Sequence, residues 1–224
     1  ILTRACVLAA LMPATDDLER DVEIFEKLMG MADETFGRRY EGGPTAFVKL
    51  FPDHALEVAD DTGRSWVWRD DLDPRERQRR IGRAFVDLPY AQRLENVKRP
   101  EELAERDLLD GVWDEVNAHL GTSARTISEL VDQLGIMRFG RRPLLADTFS
   151  GSGSIPFEAA RVGCDVIASD LNPIACMLSW ASFNVVGASS ERHAEIVREM
   201  RQIADRVDRA ITDMGIEHDA NGNR

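Results

Sequence analysis

The sequence predicts an α/β chain: a mainly helical region with a small β-hairpin, followed by part of a parallel-sheet domain. Three observations lead there. Apolar residues recur at helical spacing through most of the first 135 positions. Two short strand-like runs near 55–69 flank a glycine turn. From Pro143 onward, brief apolar runs alternate with helical patterns around a glycine loop, the order of a Rossmann-like unit.

Residues 1–12 read as a core helix rather than a signal, because Arg4 interrupts the apolar run and no cleavage pattern follows. Asp16 to Met31 sets Val22, Phe25, Leu28 and Met29 on one helical face, and Glu41-Gly-Gly-Pro44 breaks the pattern. Ala55-Leu-Glu-Val-Ala, the turn Asp60-Asp-Thr-Gly63 and Arg64-Ser-Trp-Val-Trp-Arg then read as a hairpin. Trp66 and Trp68 share a strand face. A packed face is expected there rather than a base-stacking platform, since no basic residues interleave on the opposite strand. Residues 74–86, 100–120 and 123–135 are predicted helices, with Pro100-Glu-Glu as a first turn and Gly121-Thr-Ser as a boundary. Asp87 and Pro89 read as one helix's end and the next one's start, with Tyr90 packed.

The domain boundary is expected near residue 136. Residues 1–40 would be helices packing on the core, 41–135 a mainly helical insertion, and 136–224 the α/β part. Leu144 to Ala146 supply a strand, Ser154 is placed to cap the next helix, and Pro156 fits its first turn. Ile155, Ala159, Ala160 and Val162 form that helix's apolar face before Gly163 stops it, and Val166-Ile-Ala is the second strand. A helix from Ile174 to Val186 follows. Ser189-Ser190 then cap a long helix in which Val197, Met200, Ala204, Val207, Ile211 and Met214 repeat at three and four residues. That stripe is expected to form a seam with the sheet, the amino-terminal helices or a partner rather than a separate coiled coil.

The chemistry concentrates in Asp147-Thr-Phe-Ser-Gly151-Ser-Gly153-Ser-Ile-Pro156 and Asp165-Val-Ile-Ala-Ser-Asp170-Leu-Asn-Pro173. This spacing puts a glycine loop and two acidic strand ends at the carboxyl edge of a sheet. Gly151 and Gly153 let backbone N–H groups approach a ligand, and the helix start behind them favours an anionic one. A dinucleotide loop would carry a third glycine where Pro156 stands, and Asp147 would repel a pyrophosphate. Beside the ammonium and sulfonium of S-adenosylmethionine that carboxylate is favourable, while loop amides take the methionine carboxylate. Asp170 is placed to accept from both ribose hydroxyls. The residues therefore favour a methyl donor over nicotinamide. The bland alternative is a tight turn whose glycines only serve packing.

Asp147-Thr-Phe-Ser-Gly-Ser-Gly-Ser-Ile-Pro-Phe-Glu-Ala-Ala-Arg and Ala168-Ser-Asp-Leu-Asn-Pro-Ile-Ala resemble the first two cofactor motifs of amino-methylating DNA methyltransferases. The likeness is greatest to large bacterial adenine-specific DNA methylases found among phage-defence genes, some of which carry a zinc ribbon. Arg4-Ala-Cys-Val-Leu-Ala-Ala-Leu-Met-Pro, Met137-Arg-Phe-Gly-Arg-Arg-Pro and Gly215-Ile-Glu-His-Asp-Ala-Asn-Gly are also similar to that group. The resemblance implies a methyltransferase core, partial in this chain, acting on DNA at adenine N6. It implies that Asp147, Phe149, Gly151 and Gly153, with their neighbours Thr148 and Ser152, hold the methionine end. Asp170 would hold the ribose, with Leu171 and Asn172 on the adenine side. Thr148 stands where proline is common in the group.

Methylating an exocyclic amine needs an Asp/Asn-Pro-Pro-Tyr/Phe loop to accept from the amine and stack on the extruded base. The only near match is Asp87-Leu-Pro-Tyr90, upstream and broken by Leu88. The catalytic residues are therefore not identified, and the chain is expected to be part of a larger protein, binding cofactor without turnover by itself. A non-catalytic cofactor-binding or scaffold subunit of a defence complex, with protein partners, is the competing reading. An RNA or protein methyltransferase and a nicotinamide-linked oxidoreductase stay open.

A net charge of −12 suits DNA poorly, so DNA contacts are expected mainly from segments outside this chain. Arg75, Arg77, Arg79, Arg80 and Arg83 read as a solvated helix face. Arg138, Arg141 and Arg142 are expected to pin a helix end or a partner. Cys6, Cys164 and Cys176 have no pairing or metal-ligand spacing, and His54, His119, His193 and His218 are scattered. No metal is expected. With no apolar run long enough to span a bilayer, a cytoplasmic protein with no membrane partner is expected.

Overall fold

The computed structural model describes residues 2–54, 56–59, 62–215 and 221. Asp60 and Asp61 of the expected hairpin turn, and His218 with most of the stretch 215–222, lie outside these. Contacts divide the chain into two compact units, residues 1–144 with 161–165, and residues 145–160 with 166–224. The division falls after the change expected near 136 and keeps 1–40 and 41–135 in one unit. The chain passes between the units three times, after Leu144, Ala160 and Asp165.

The first unit is helical apart from one hairpin. Helix α1 spans Leu2–Leu11 and α2 spans Leu18–Met29. Asp17 caps α2 by accepting from the Arg20 amide at 3.0 Å, and Gly30 ends it in the left-handed conformation at φ 66°. These caps trim the helix expected over 16–31. Helix α1 packs on α2 and on α9 (Ile127–Phe139), and α2 packs on α8 (Trp113–Leu120). Leu8, Ile24, Leu28, Val116 and Leu130 are fully buried.

Lys27 of α2 is buried with its ammonium 2.7 Å from Glu115 and 2.9 Å from Glu23. Arg20 also bonds both glutamates. Lys27 first, then Arg20, hold both carboxyls below the ordinary 4.5 of a glutamate. Because the folded values are the lower ones, their contribution is complete above pH 4.5 and is lost as pH falls through the folded values. Glu115→Gln is expected to cost about 1 kcal/mol at neutral pH and to flatten the acid limb of stability. Urea titrations between pH 3 and 7 check this; an unchanged pH slope would contradict it.

Helices α3 (Thr35–Arg39) and α4 (Pro44–Leu50) flank the break expected at Glu41-Gly-Gly-Pro44, which is non-helical over 41–43, with Pro44 at the first helical position of α4. Strands β1 (Glu57–Ala59) and β2 (Trp66–Trp68) form the expected antiparallel hairpin, Glu57 facing Trp68 and Ala59 facing Trp66. Only one tryptophan packs. Trp68 lies 5.5 Å from the ring of Phe47 in α4, whereas Trp66 stays 40% exposed. Helix α5 (Pro74–Val86) is capped by Asp73 and crosses α3, and the two enclose Phe36, Ile81, Ala84 and Phe85 with Phe47 and Phe51. At that crossing the backbones themselves touch: a Cβ on Gly37 would sit 1.7 Å from the Gln78 carbonyl oxygen.

Asp87 ends α5 and Pro89 starts α6 (Tyr90–Glu95), so Asp87-Leu-Pro-Tyr90 is a helix junction, as expected. Tyr90 is not packed; it opens a short helix with no buried residue and is half exposed. The helix predicted over 100–120 is three pieces: a 3₁₀ turn at Pro100–Glu102, α7 (Glu105–Leu108) and α8. Leu103 is extended and Gly111 adopts φ 72°, neither compatible with a continuous helix. Helix α9 starts after Thr126, whose side chain caps it, rather than at 123. On the arginine face of α5, Arg75 pairs with Asp110, and Arg79 and Arg80 pair with Glu76. Arg138 bonds the Ala10 carbonyl, and Arg142 lies 3.2 Å from Asp132, pinning the end of α9.

The second unit carries the expected strand–loop–helix–strand step. Strand β3 (Leu144–Asp147) leads to α10 (Ser154–Arg161) and β4 (Asp165–Ala168), then to α11 (Pro173–Ala181). The β4 amides of Asp165 and Ser169 bond the carbonyls of Pro143 and Asp147, so the pair runs parallel. Among the described residues the protein is mostly helical with two two-stranded sheets, and no complete Rossmann sheet is formed. The 136–224 stretch holds only two strand-like runs. Five residues, Ser182–Val186, make a π-turn before α12 (Ser190–Asp213), which Ser189 caps. Within its own unit the apolar stripe of α12 forms no buried seam: none of its residues is buried. Among the described residues no helix is long and apolar enough to cross a membrane.

Candidate functional site

The motif residues converge because β3 and β4 end side by side. Leaving β3, the chain turns at Asp147, whose Oδ1 accepts from the Phe149 amide at 3.1 Å. The Ser150 amide then bonds the Ser169 carbonyl at 3.0 Å, tying the loop to the end of β4. Gly151 follows with φ 51°, and its amide donates to Asp170 Oδ2 at 2.9 Å. Asp170 Oδ1 accepts from the Asn172 amide at 2.8 Å. Successive loop amides thus bond both acidic strand ends: Phe149 to Asp147, Ser150 to the end of β4, and Gly151 to Asp170.

These amides, Asn172 first and Gly151 second, hold the Asp170 carboxyl below the ordinary aspartate range. Asp170 is therefore a fixed anion at neutral pH. The Leu171 amide adds a smaller contribution, and the carboxylate keeps acceptor capacity for a ligand hydroxyl. Asp147 differs. Its Oδ2 is buried and meets no donor in the protein. Burying an unpaired carboxylate oxygen is costly, and a cationic or N–H-bearing ligand would offset that cost.

The two glycines serve different needs. At Gly151 a Cβ would meet open space; at Gly153, with φ 79°, it would sit 2.8 Å from Ser179 Oγ and 3.0 Å from Ser179 Cα. The Gly153 amide is spent on the Ser150 carbonyl at 2.7 Å. Gly153 is thus required for packing on α11, not as a free ligand donor. It also replaces Ser154 as the cap of α10, because its carbonyl accepts the Phe157 amide. Ser154 and Ile155 then offer first-turn amides that no helical carbonyl reaches, while Pro156 lacks one. Gly153→Ala is expected to cost about 2–3 kcal/mol against about 1 kcal/mol for Gly151→Ala. Thermal melts of both variants check the order; equal losses would contradict it.

Apolar side chains flank the carboxylates without cover. Leu171 is 92% exposed and Phe149 78% exposed. Thr148 and Ser152 are exposed in the same loop. Asn172 is occupied in capping α11, its Oδ1 accepting from the Ile174 amide at 3.0 Å. Two partners escaped the sequence reading. Ser150 is buried and bonds Ser179 at 3.1 Å, fixing the loop to α11; Cys176 donates to the Asp170 carbonyl. Cys176 lies one helical turn past the Asn172 cap, the sequence signal that could have flagged it. Among the described residues no three His, Cys, Asp or Glu side chains group as metal ligands. His119 is mostly buried, its Nε2 2.6 Å from Asp21.

No family model, curated protein or solved structure matches this chain.

Proposed function

We propose that this chain is the cofactor-binding part of an S-adenosylmethionine-dependent DNA methyltransferase that modifies adenine N6, working in phage defence or restriction–modification. The observation that carries the reading is the pairing of an unsatisfied buried oxygen on Asp147 with a fixed carboxylate on Asp170 that keeps acceptor capacity. Asp147 would face the cationic methionine end. The amides of Ser154 and Ile155 would take its carboxylate. Asp170 would accept from the ribose hydroxyls, and the bare Leu171 side chain would cover one side of the adenine, with Asn172 beside it. When bound, the cofactor supplies an electrophilic methyl group on sulfur; this chain orients it and shields it from water.

The acceptor side rests on motif likeness alone. Asp87-Leu-Pro-Tyr90 lies in a helix junction and has no place in the chemistry. Calorimetry with S-adenosylmethionine and with NAD tests the cofactor assignment: heat is expected with the first and none with the second. The reverse result would favour a nicotinamide-linked activity. Mass spectrometry of DNA incubated with the intact protein and the cofactor tests the acceptor. N6-methyladenine is expected; its absence while cofactor binds would reject the adenine assignment and leave a binding or scaffold role in a defence complex.

A further inference from the structure

Helix α12 presents apolar residues in an unbroken heptad register that its own unit covers only in part, Val197 and Ile211 being half-buried. Val197, Ala204 and Ile211 fall seven apart, as do Met200, Val207 and Met214, giving the alternating three–four spacing of a coiled-coil seam. Met200, Val207 and Met214 are 62%, 51% and 71% exposed, and no residue of α12 is buried. We propose that a second copy of this chain covers this stripe, α12 pairing antiparallel with its counterpart across a two-fold axis.

The register follows from the residues. Centring the axis between Ala204 and Val207 places Val197 opposite the partner's Met214, Met200 opposite the partner's Ile211, and Ala204 opposite the partner's Val207. Every seam residue then meets an apolar one, small and β-branched side chains facing larger ones. The same register sets Arg201 beside the partner's Asp208 on one flank, twice by symmetry. On the other flank Ile203, 51% exposed, meets the partner's Ala210. A parallel pair would instead set Ile203 against the partner's Asp208 and leave Arg201 facing Ile196, so charge and apolarity match only in the antiparallel pair. Self-association is electrostatically open at this helix. Five arginines against six carboxylates leave it nearly neutral, although the whole chain carries −12.

Sedimentation velocity on the 224-residue chain, over about a hundredfold concentration range, tests the proposal. A concentration-dependent rise to twice the monomer mass is expected. Val207→Glu should raise the dimer dissociation constant more than about tenfold while circular dichroism shows unchanged helix content. Arg201→Asp alone should weaken the dimer about tenfold by opposing two carboxylates, and adding Asp208→Arg should restore it. A monomer at every concentration would overturn the proposal, showing the stripe is covered within the chain or by another protein. A dimer that the charge reversal weakens but the double reversal does not restore would overturn the antiparallel register.

Discussion

Replacing Gly37 by alanine is expected to prevent the first unit from folding. The added methyl would lie 1.7 Å from the Gln78 carbonyl oxygen, 2.7 Å from its carbon and 2.9 Å from the Gly82 amide nitrogen. All three atoms belong to the α5 backbone, so no side-chain rotation relieves the clash; α3 and α5 must separate. Gly82 faces the crossing from the other side, its missing Cβ 3.1 Å from the Glu34 carbonyl. Separation would unstack Phe36 from Phe85, whose rings lie 6.0 Å apart, and open the cluster around Phe47 and Ile81. Ordinary overpacking costs about 1–3 kcal/mol; a backbone collision under a packed aromatic core is expected to exceed about 4 kcal/mol, near the whole stability of a domain this size. Gly43→Ala is the matched control, because Gly43 has φ −75° and open space where its Cβ would lie. Circular dichroism melts should show no cooperative transition for Gly37→Ala and a near-unchanged one for Gly43→Ala. A cooperative melt within a few degrees of wild type would refute the backbone-contact argument.

The second large effect concerns ligand binding. Asp170→Ala removes the acceptor for the Gly151 and Asn172 amides and the carboxylate proposed to accept from the ribose hydroxyls. Loss of this charged acceptor should lower affinity for S-adenosylmethionine at least about a hundredfold. Asp170→Asn keeps one acceptor and should lose less. Both variants are measured by calorimetry, with a thermal melt alongside to detect loss of the fold. Unchanged affinity in Asp170→Ala would remove the ribose assignment, and with it the main support for the proposed cofactor.

Local features were legible because they depend on neighbouring residues. The Asp87–Pro89 junction, Gly121 and Ser189 mark helix ends that the structure contains, and the hairpin and the β3–α10–β4 step follow their patterns. What escaped depends on distant partners. Helices α3 and α4 are too short to show a period. The α3–α5 crossing rests on Gly37 meeting Gly82, and nothing in the local sequence announces that approach. Trp66 and Trp68 share a pattern, yet only the one against Phe47 is covered. In the loop, glycine spacing alone could not divide the labour between Gly151, which holds Asp170, and Gly153, which lets α11 close in.

The threefold passage of the chain between its units has a practical corollary. Neither unit is a contiguous stretch: a piece excised at Leu145 would carry away Arg161–Asp165, and with it the buried side chains of Val162 and Cys164. Truncation would leave the helical half with an apolar wound and the loop-bearing half with a misplaced splice.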